Sequence, residues 1–274
     1  MWIDAHQHFW NYNPKRDTWI TDEMKVLQRN FLPSDLNPLL DCSHISGCVA
    51  VQADQSETET QFLVSLAEAN DFIKGVVGWV DLQSNNLTER LAYFSQYKKL
   101  KGFRHIVQSE PNDFLLRALF INGVRELKKF DFTYDILIYE RQLPATLEFV
   151  KNFPDQRLVI DHLAKPNIKS HSFDNWKKHI QLIAEQENIF CKISGMITEA
   201  DWHNWKYEDF IPYLDVVFNS FGIDRIMYGS DWPVCLVAAS YEKQFSILQQ
   251  YIQNFSQAER NKILGGNAIR FYQL

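Results

Sequence analysis

The chain has 274 residues, of which 46% are hydrophobic, and its formal net charge is −6. This length and apolar content suffice for one large buried core, so we expect a single domain over residues 1–274. Acidic and basic residues are dispersed without a lysine- or arginine-rich block, which argues against nucleic acid or an anionic membrane as a partner.

The first residues lead directly into a strand-like segment, without the basic and apolar regions of a secretion signal. No run of about 20 apolar residues follows that could span a bilayer. We therefore expect a cytoplasmic protein that does not bind membranes. Its oligomeric state is left open between a monomer and a homo-oligomer. Cys42, Cys48, Cys191 and Cys235 show no C-x-x-C spacing and are expected to be free, buried thiols.

Apolar runs that alternate with amphipathic stretches predict eight strands, each followed by a helix. The strands are expected near residues 2–8, 47–52, 73–80, 100–106, 132–138, 157–162, 189–194 and 225–229. The helices are expected near residues 34–44, 56–70, 86–97, 113–129, 142–152, 174–187, 207–220 and 240–254. This order is typical of an α/β protein of the (β/α)8 TIM barrel class, which takes about 250 residues.

Local signals mark several helix starts. Ser56 with Glu59 predicts a capping box at the second helix, and Pro144 suits the first turn of the fifth. An extra C-terminal helix from Ser256 to Phe271 begins with a capping box of its own and should pack beneath or beside the barrel.

The longest irregular segment, residues 9–33, follows the first strand. In a barrel it would be the first loop at the C-terminal face, where long loops serve as lids or walls. Its aromatic residues, Trp10, Tyr12, Trp19 and Phe31, predict an ordered wall.

Candidate catalytic residues stand at the strand ends, because the active site of such barrels lies there. Strict alternation along the first strand predicts that Asp4, His6 and His8 project to one side. Asp231 follows the eighth strand and can meet them only if the sheet closes on itself. The other polar candidates are Gln52, Asp54, Arg104, His105, Asp135, Tyr139, Asp161, His162, Lys192 and Ser194.

Each candidate also has a structural interpretation. Asp231 can cap the last helix, His162 can brace a loop, and His6 with His8 can be ordinary barrel histidines, although two on one strand face near a mouth favour a function.

The neighbours Arg104 and His105 point to opposite faces of their strand, so the sequence leaves open which of them faces the site. Asp161 and Lys192 are interpreted as structural, and Ser194 is left undecided.

Flat aromatic faces can pack against the C–H face of a sugar ring. Trp10, Trp79 and Trp232 lie in or beside predicted loops and are candidate substrate contacts, as are Trp202, Trp205 and His203 of the seventh and neighbouring loops. Ordinary packing is the alternative for each tryptophan.

Several motifs together resemble the amidohydrolase superfamily, and more narrowly its sugar-lactonase branch. The superfamily frame is seen in His6-Gln7-His8, His162 and Asp231. The branch-specific motifs are Gly102-Phe103-Arg104-His105, Arg141-Gln142-Leu143-Pro144, Asp161-His162-Leu163-Ala164-Lys165-Pro166, Lys192-Ile193-Ser194-Gly195, Thr198-Glu199-Ala200, Gly229-Ser230-Asp231-Trp232-Pro233 and Gly265-Gly266-Asn267-Ala268. The resemblance therefore covers nearly the whole chain.

The resemblance implies a metal site, but this chain departs from the superfamily pattern at one ligand position. Many superfamily members carry a further histidine on the fifth strand, whereas residues 132–138 of this chain contain none. A binuclear centre is therefore not expected. His6, His8 and Asp231, with His162 as a further candidate, can hold one Zn²⁺ with an open position. A related pyrone lactonase works without metal, so an empty site is an alternative.

For the reaction, the resemblance implies opening of a neutral sugar lactone of the L-fucono or L-rhamnono type. Asp231 is the candidate general base, and His6, His8, His162 and Arg104 or a bound zinc ion would stabilise the oxyanion. Arg104 and His105 are also candidate substrate contacts. One alternative is a 2-pyrone-4,6-dicarboxylate-type lactonase or a decarboxylase on the same barrel. Another is a catalytically silent sugar-binding protein.

Overall fold

The structure is a computed structural model that describes residues 1–171 and 173–274. Eight parallel strands form one sheet in sequential order, so the predicted (β/α)8 barrel is confirmed. The strands are β1 Ile3–Gln7, β2 Gly47–Val51, β3 Ile73–Gly78, β4 Leu100–His105, β5 Thr133–Ile136, β6 Leu158–Ile160, β7 Ile189–Ile193 and β8 Ile226–Tyr228.

Helices surround the sheet. They are α1 Pro33–Cys42, α2 Glu57–Ala69, α3 Leu87–Phe94, α4 Ala118–Leu127, α5 Leu143–Val150, α6 Asp174–Ala184, α7 Ile211–Phe221, α8 Tyr241–Tyr251, α9 Gln257–Asn261 and α10 Asn267–Tyr272. The helix predicted over 113–129 is interrupted, because Arg117 is extended between a short 3-10 turn and α4. No helix in the described part of the chain is both long and apolar enough to cross a membrane.

The barrel closes just beyond β8. Asp231 donates its backbone N–H to the His6 carbonyl oxygen at 2.8 Å, and His8 donates its own to the Trp232 carbonyl oxygen at 2.7 Å. These bonds join the first strand to the segment after the last one. They bring Asp231 beside the two histidines, as the sequence predicted.

A bulge in β1 changes the alternation of its side chains. Asp4 pairs with Cys48 and Gln7 with Ala50, so β1 carries one extra residue between these points. Asp4 therefore faces the helix layer, where Tyr241 of α8 donates to its carboxylate at 3.0 Å. The prediction that Asp4 shares a face with His6 and His8 is wrong, because strict alternation fails at the bulge.

The bottom of the barrel is closed by the C-terminal segment. Ala268, Phe271 and Tyr272 of α10 pack against the apolar inner side chains Ile3, Ala5, Val49, Val51, Val77, Val159 and Met227. The predicted continuous helix from Ser256 to Phe271 is wrong, because a π-turn over Lys262–Gly266 separates α9 from α10. At this turn the backbone passes so close to the chain start that a Cβ on Gly265 would lie 2.3 Å from the Met1 carbonyl oxygen.

Most local start signals are confirmed. The Ser56 hydroxyl accepts the Glu59 N–H, and Pro144 lies in the first turn of α5. The Glu59 carboxylate, however, accepts from Ala53 and Asp54 rather than from Ser56, so the predicted box is half formed. Burial raises the pKa of Glu59 to about 8.

The four cysteines are free, as predicted. Three of them are buried, whereas Cys42 is exposed at the end of α1.

The long loop after β1 is ordered. Trp10 and Phe31 exchange two backbone hydrogen bonds of 3.0 and 2.9 Å, which pin the ends of the loop together beside the barrel mouth.

Candidate active site

A cavity of about 420 Å³ opens at the C-terminal ends of the strands, within the size range of small-molecule sites. Its floor contains His8, Arg104, His162 and Asp231. Its walls come chiefly from the loops after β1, β4, β6 and β7. Wall residues include Trp10, Trp19, Met24, Gln108, Ser109, Tyr139, Lys165, Thr198, Glu199 and Trp202.

His6 of β1 and His8, which directly follows the strand, have their Nε2 atoms 3.2 Å apart. His8 Nδ1 lies 2.7 Å from the Val51 carbonyl oxygen, which can only accept, so His8 carries its proton on Nδ1. His6 Nδ1 lies 3.3 Å from Asp161 Oδ1, while Arg104, which can only donate, contacts His6 Nε2 at 3.2 Å. The lone pair on His8 Nε2 is therefore open, whereas His6 Nε2 faces the Arg104 guanidinium.

Asp231 completes a converging set of three ligand atoms. Its Oδ1 lies 3.3 Å from His8 Nε2 and 3.9 Å from His6 Nε2. Ligands about 2.0–2.1 Å from a tetrahedral zinc ion are about 3.3–3.4 Å apart, so this set fits one such ion. Imidazole lone pairs and a carboxylate oxygen at these distances would all attract a cation placed among them. The residues present therefore fit a divalent metal.

Burial keeps the imidazoles of His6 and His162 neutral. Loss of solvent is the main reason that the pKa values of His6 and His162 lie well below the ordinary value. Burial opposes ionisation of Asp231, but His162 and His8 together outweigh it and lower the pKa of this carboxyl group. Neutral imidazoles and an ionised carboxylate are the forms that bind metal.

His162 approaches the same point from the end of β6. Its Nδ1 lies 2.9 Å from the Ser194 hydroxyl, and its Nε2 lies 3.9 Å from Asp231 Oδ1. The backbone from His162 to Lys165 has φ values of 54°, 54°, 60° and 48°, and Asp231 has a φ of 56°. A left-handed residue costs about 1–2 kcal/mol, and such strain is concentrated at functional sites.

A buried charge network supports the floor from below. Arg104 Nη1 donates to Asp161 Oδ2 at 3.0 Å. Lys192 Nζ lies 3.0 Å from Asp161 Oδ1 and 2.5 Å from Asp135 Oδ2. Tyr272 of α10 donates to the same Asp135 oxygen at 2.6 Å. The network holds two cations and two carboxylates, so its charges balance.

The network also orients a candidate metal ligand. Lys192 Nζ lies 3.3 Å from His6 Nδ1, on the same edge of the ring as Asp161. Burial raises the pKa of Asp135 to about 6, whereas Lys192, His6 and Arg104 overcome burial and hold the pKa of Asp161 well below its ordinary value. Asp161 and Lys192, interpreted from the sequence as structural, thus position His6.

The structure assigns different places to the candidate substrate contacts. Arg104 faces the floor and Trp10 lines the wall. His105 points away from the floor, stacks on Phe114 and pairs with Glu110 at 3.1 Å.

Four further candidates lie away from the cavity lining. Trp205 donates its ring N–H to the Ala238 carbonyl oxygen at 3.2 Å. Trp79 donates its ring N–H to His105 Nδ1 at 3.4 Å. Trp232 packs against Phe9 and Phe31 in the core. His203 is exposed in the loop after β7. The direction of these side chains depends on how the strands pair and how the loops pack. Alternation along one strand does not predict either.

Several wall residues were not singled out from the sequence. Gln108, Lys165 and Glu199 line the cavity, and Trp202 was only one of several tryptophans considered. Trp19, named from the sequence as part of the loop wall, also lines it. Lys165 and Glu199 stand within motifs that carry the family resemblance, and this was the one sequence signal that could have identified them.

Comparisons with known proteins agree with this architecture. A family model described as amidohydrolase matches residues 3–274. The L-fucono-1,5-lactonase of Burkholderia multivorans is 39% identical over 284 residues, covering 99% of this chain and 96% of that protein. The L-fucono-1,5-lactonase of Burkholderia ambifaria is 34% identical and covers 99% and 95%. A crystal structure of an amidohydrolase from Burkholderia multivorans with bound zinc is 39% identical, with a TM-score of 0.96, covering 100% of this chain and 99% of that one.

Proposed function

The chain belongs to the amidohydrolase family, and from this premise we propose that it hydrolyses a neutral sugar lactone of the L-fucono-1,5-lactone type to the open-chain aldonate. The L-rhamnonolactone type is the nearest variant of this substrate. The observation that carries the proposal is the convergence of His6, His8, His162 and Asp231 at the floor of a 420 Å³ cavity.

The charge of the cavity supports a neutral substrate. The charged side chains that line it, among the described residues, are two cations, Arg104 and Lys165, and two carboxylates, Glu199 and Asp231. Arg104 is already bonded to Asp161 and to the Gln52 carbonyl oxygen. A dicarboxylate would find few free cationic partners, which disfavours the pyrone dicarboxylate alternative.

The chain's own residues can carry the proton steps. Asp231, ionised because of its neighbours, takes a proton from the water that attacks the lactone carbonyl carbon. His162, with Nδ1 held by Ser194, offers Nε2–H to the developing oxyanion. When the ring C–O bond breaks, Asp231 returns the proton to the departing alkoxide. The products are one hydroxyl and one carboxylic acid, which releases its proton to solvent and becomes a carboxylate.

His6, His8 and Asp231 would hold a divalent ion, for which we propose zinc. When bound, it would polarise the lactone carbonyl and lower the pKa of water. We further propose that the reaction serves carbohydrate breakdown. The cytoplasmic location stays a prediction.

Replacement of the base tests this function. Asp231→Asn should lower kcat for L-fucono-1,5-lactone by a factor of about 10² or more, because an amide cannot accept the proton. Acid release is followed by pH-stat titration, and metal content is measured on the same preparations, assayed with and without added zinc. The control is Asp224→Asn, a surface carboxylate 2.7 Å from Lys262, which should keep wild-type kcat. Near-normal kcat in Asp231→Asn removes this residue from the mechanism. Absence of turnover by the wild type on every aldonolactone overturns the assignment.

A further inference from the structure

A pair of opposite charges lies on the cavity wall, apart from the candidate metal ligands. Lys165 ends the left-handed turn after β6, and Glu199 lies in the loop after β7. Lys165 Nζ and Glu199 Oε1 are 3.7 Å apart, which is too long for a direct hydrogen bond. The ammonium donors and the carboxylate oxygens therefore keep the capacity to bond a ligand.

Both groups are largely withdrawn from solvent. Their side chains are 15% and 19% exposed, and what remains exposed faces the cavity. Burial raises the pKa of Glu199, while Lys165 acts in the opposite direction. Partly desolvated charges without a direct bond gain free energy when a polar ligand bonds both of them.

A third polar group faces the same space. Gln108 lines the cavity, and its Oε1 is buried with no hydrogen-bond partner among the described residues. Buried side-chain oxygens in proteins usually have a partner. Because this oxygen is shielded from solvent, it would have to turn toward the cavity before a ligand could donate to it.

Aromatic side chains provide an apolar surface in the same cavity. Trp19 is 41% exposed and meets Trp10 edge to face, and Trp202 is held by a hydrogen bond from its ring N–H to the Thr198 carbonyl oxygen at 2.9 Å. A sugar ring has polar hydroxyls at its edge and apolar C–H groups on its faces. A cavity with both kinds of surface suits such a ring.

We propose that Lys165 and Glu199 together bind a ring hydroxyl of the sugar lactone and so determine the enzyme's specificity for hydroxylated lactones. An ammonium only donates, a carboxylate only accepts, and a hydroxyl does both. A hydroxyl about 2.8 Å from each group accepts from Lys165 and donates to Glu199. The inference rests on the proposed function and adds the feature of the substrate that is recognised.

The test compares a lactone that has ring hydroxyls with one that lacks them. Glu199→Gln and Lys165→Met are assayed on L-fucono-1,5-lactone and on δ-valerolactone. We expect kcat/KM to fall at least 10²-fold on the sugar lactone and less than threefold on δ-valerolactone, because only the first has hydroxyls to lose. The matched control is Glu110→Gln, which alters a carboxylate paired with His105 outside the cavity and should change neither value.

A second measurement does not depend on turnover. L-Fucose has the hydroxylated ring but no lactone bond, and its dissociation constant is measured by calorimetry. Both variants should bind it at least tenfold more weakly than the wild type and Glu110→Gln do.

The outcomes separate the two hypotheses. Equal losses on both lactones would assign the pair to the chemistry or to folding and overturn the inference, as would unchanged activity with unchanged L-fucose binding. Failure of the wild type to open any lactone refutes the proposed function alone, and the L-fucose constants then decide on hydroxyl recognition.

Discussion

Replacing Gly195 with alanine adds one methyl group beside the candidate catalytic residues. We expect this change to lower both Tm and kcat, each for its own physical reason. Gly195 follows Ser194 at the end of β7 and has a φ of +62°. A Cβ at this position would lie 2.6 Å from His162 Nδ1, 2.9 Å from its Cγ and 3.2 Å from Asp231 Oδ2. The close approach of the backbone to both side chains therefore requires glycine.

The size of the effect follows from two terms. Left-handed backbone costs a non-glycine residue about 1–2 kcal/mol, which corresponds to a fall in Tm of about 2–8 °C for a chain of this size. The second term is displacement, because His162 must retreat by about 0.8 Å to move from 2.6 Å to an ordinary contact of 3.4 Å. That shift would break its 2.9 Å contact with Ser194. Misplacement on the scale of 1 Å lowers kcat by about 10²-fold.

A second glycine, Gly222, serves as a control for backbone strain without a side-chain clash. Gly222 at the end of α7 has a φ of +65°, and a Cβ there would meet nothing within 4 Å. Gly222 also has a ψ of 171°, which places it in a backbone region that essentially only glycine occupies. Gly195→Ala and Gly222→Ala should therefore both lower Tm, measured by circular dichroism, whereas only Gly195→Ala should lose kcat on L-fucono-1,5-lactone. Near-wild-type kcat in Gly195→Ala would refute the reasoning. So would an equal loss of kcat in Gly222→Ala, since that residue touches neither side chain.

Two further predictions concern the metal and the substrate. Purified protein should hold no more than one divalent ion per chain by elemental analysis. The second possible ligand group shares His6 with the first and uses Asp161, whose oxygens already face Lys192 and Arg104. Two tightly held ions per chain would contradict this prediction. The enzyme should favour L-fuconolactone or L-rhamnonolactone over 2-pyrone-4,6-dicarboxylate by at least about 10²-fold in kcat/KM, because Arg104 is already bonded to Asp161 and Lys165 faces Glu199. Side-by-side assays measure the ratio, and a preference for the dicarboxylate would exclude a neutral substrate while leaving the barrel intact.

The sequence by itself determined the architecture. Period-two apolar runs followed by amphipathic stretches are local properties, and eight repeats of that unit have few ways to bury their faces other than a closed barrel. The same order placed His6, His8, His162 and Asp231 at strand ends, which all meet at one face of such a barrel.

Only the tertiary structure decided which side chains reach the cavity. The bulge in β1 turned Asp4 outward, and the register of β4 directed Arg104 rather than His105 to the floor. These outcomes depend on how each strand pairs with its neighbours, which the alternation within one strand does not specify.

The contacts between distant segments were equally beyond the sequence. Tyr272 bonds Asp135 across 137 positions of the chain, and Lys165 meets Glu199 because two loops from different strands lie side by side at the mouth. Periodicity and local start signals report on residues a few positions apart. The charge balance of the floor and the polar pair on the wall arise only when the closed sheet brings remote strand ends within a few ångströms of each other.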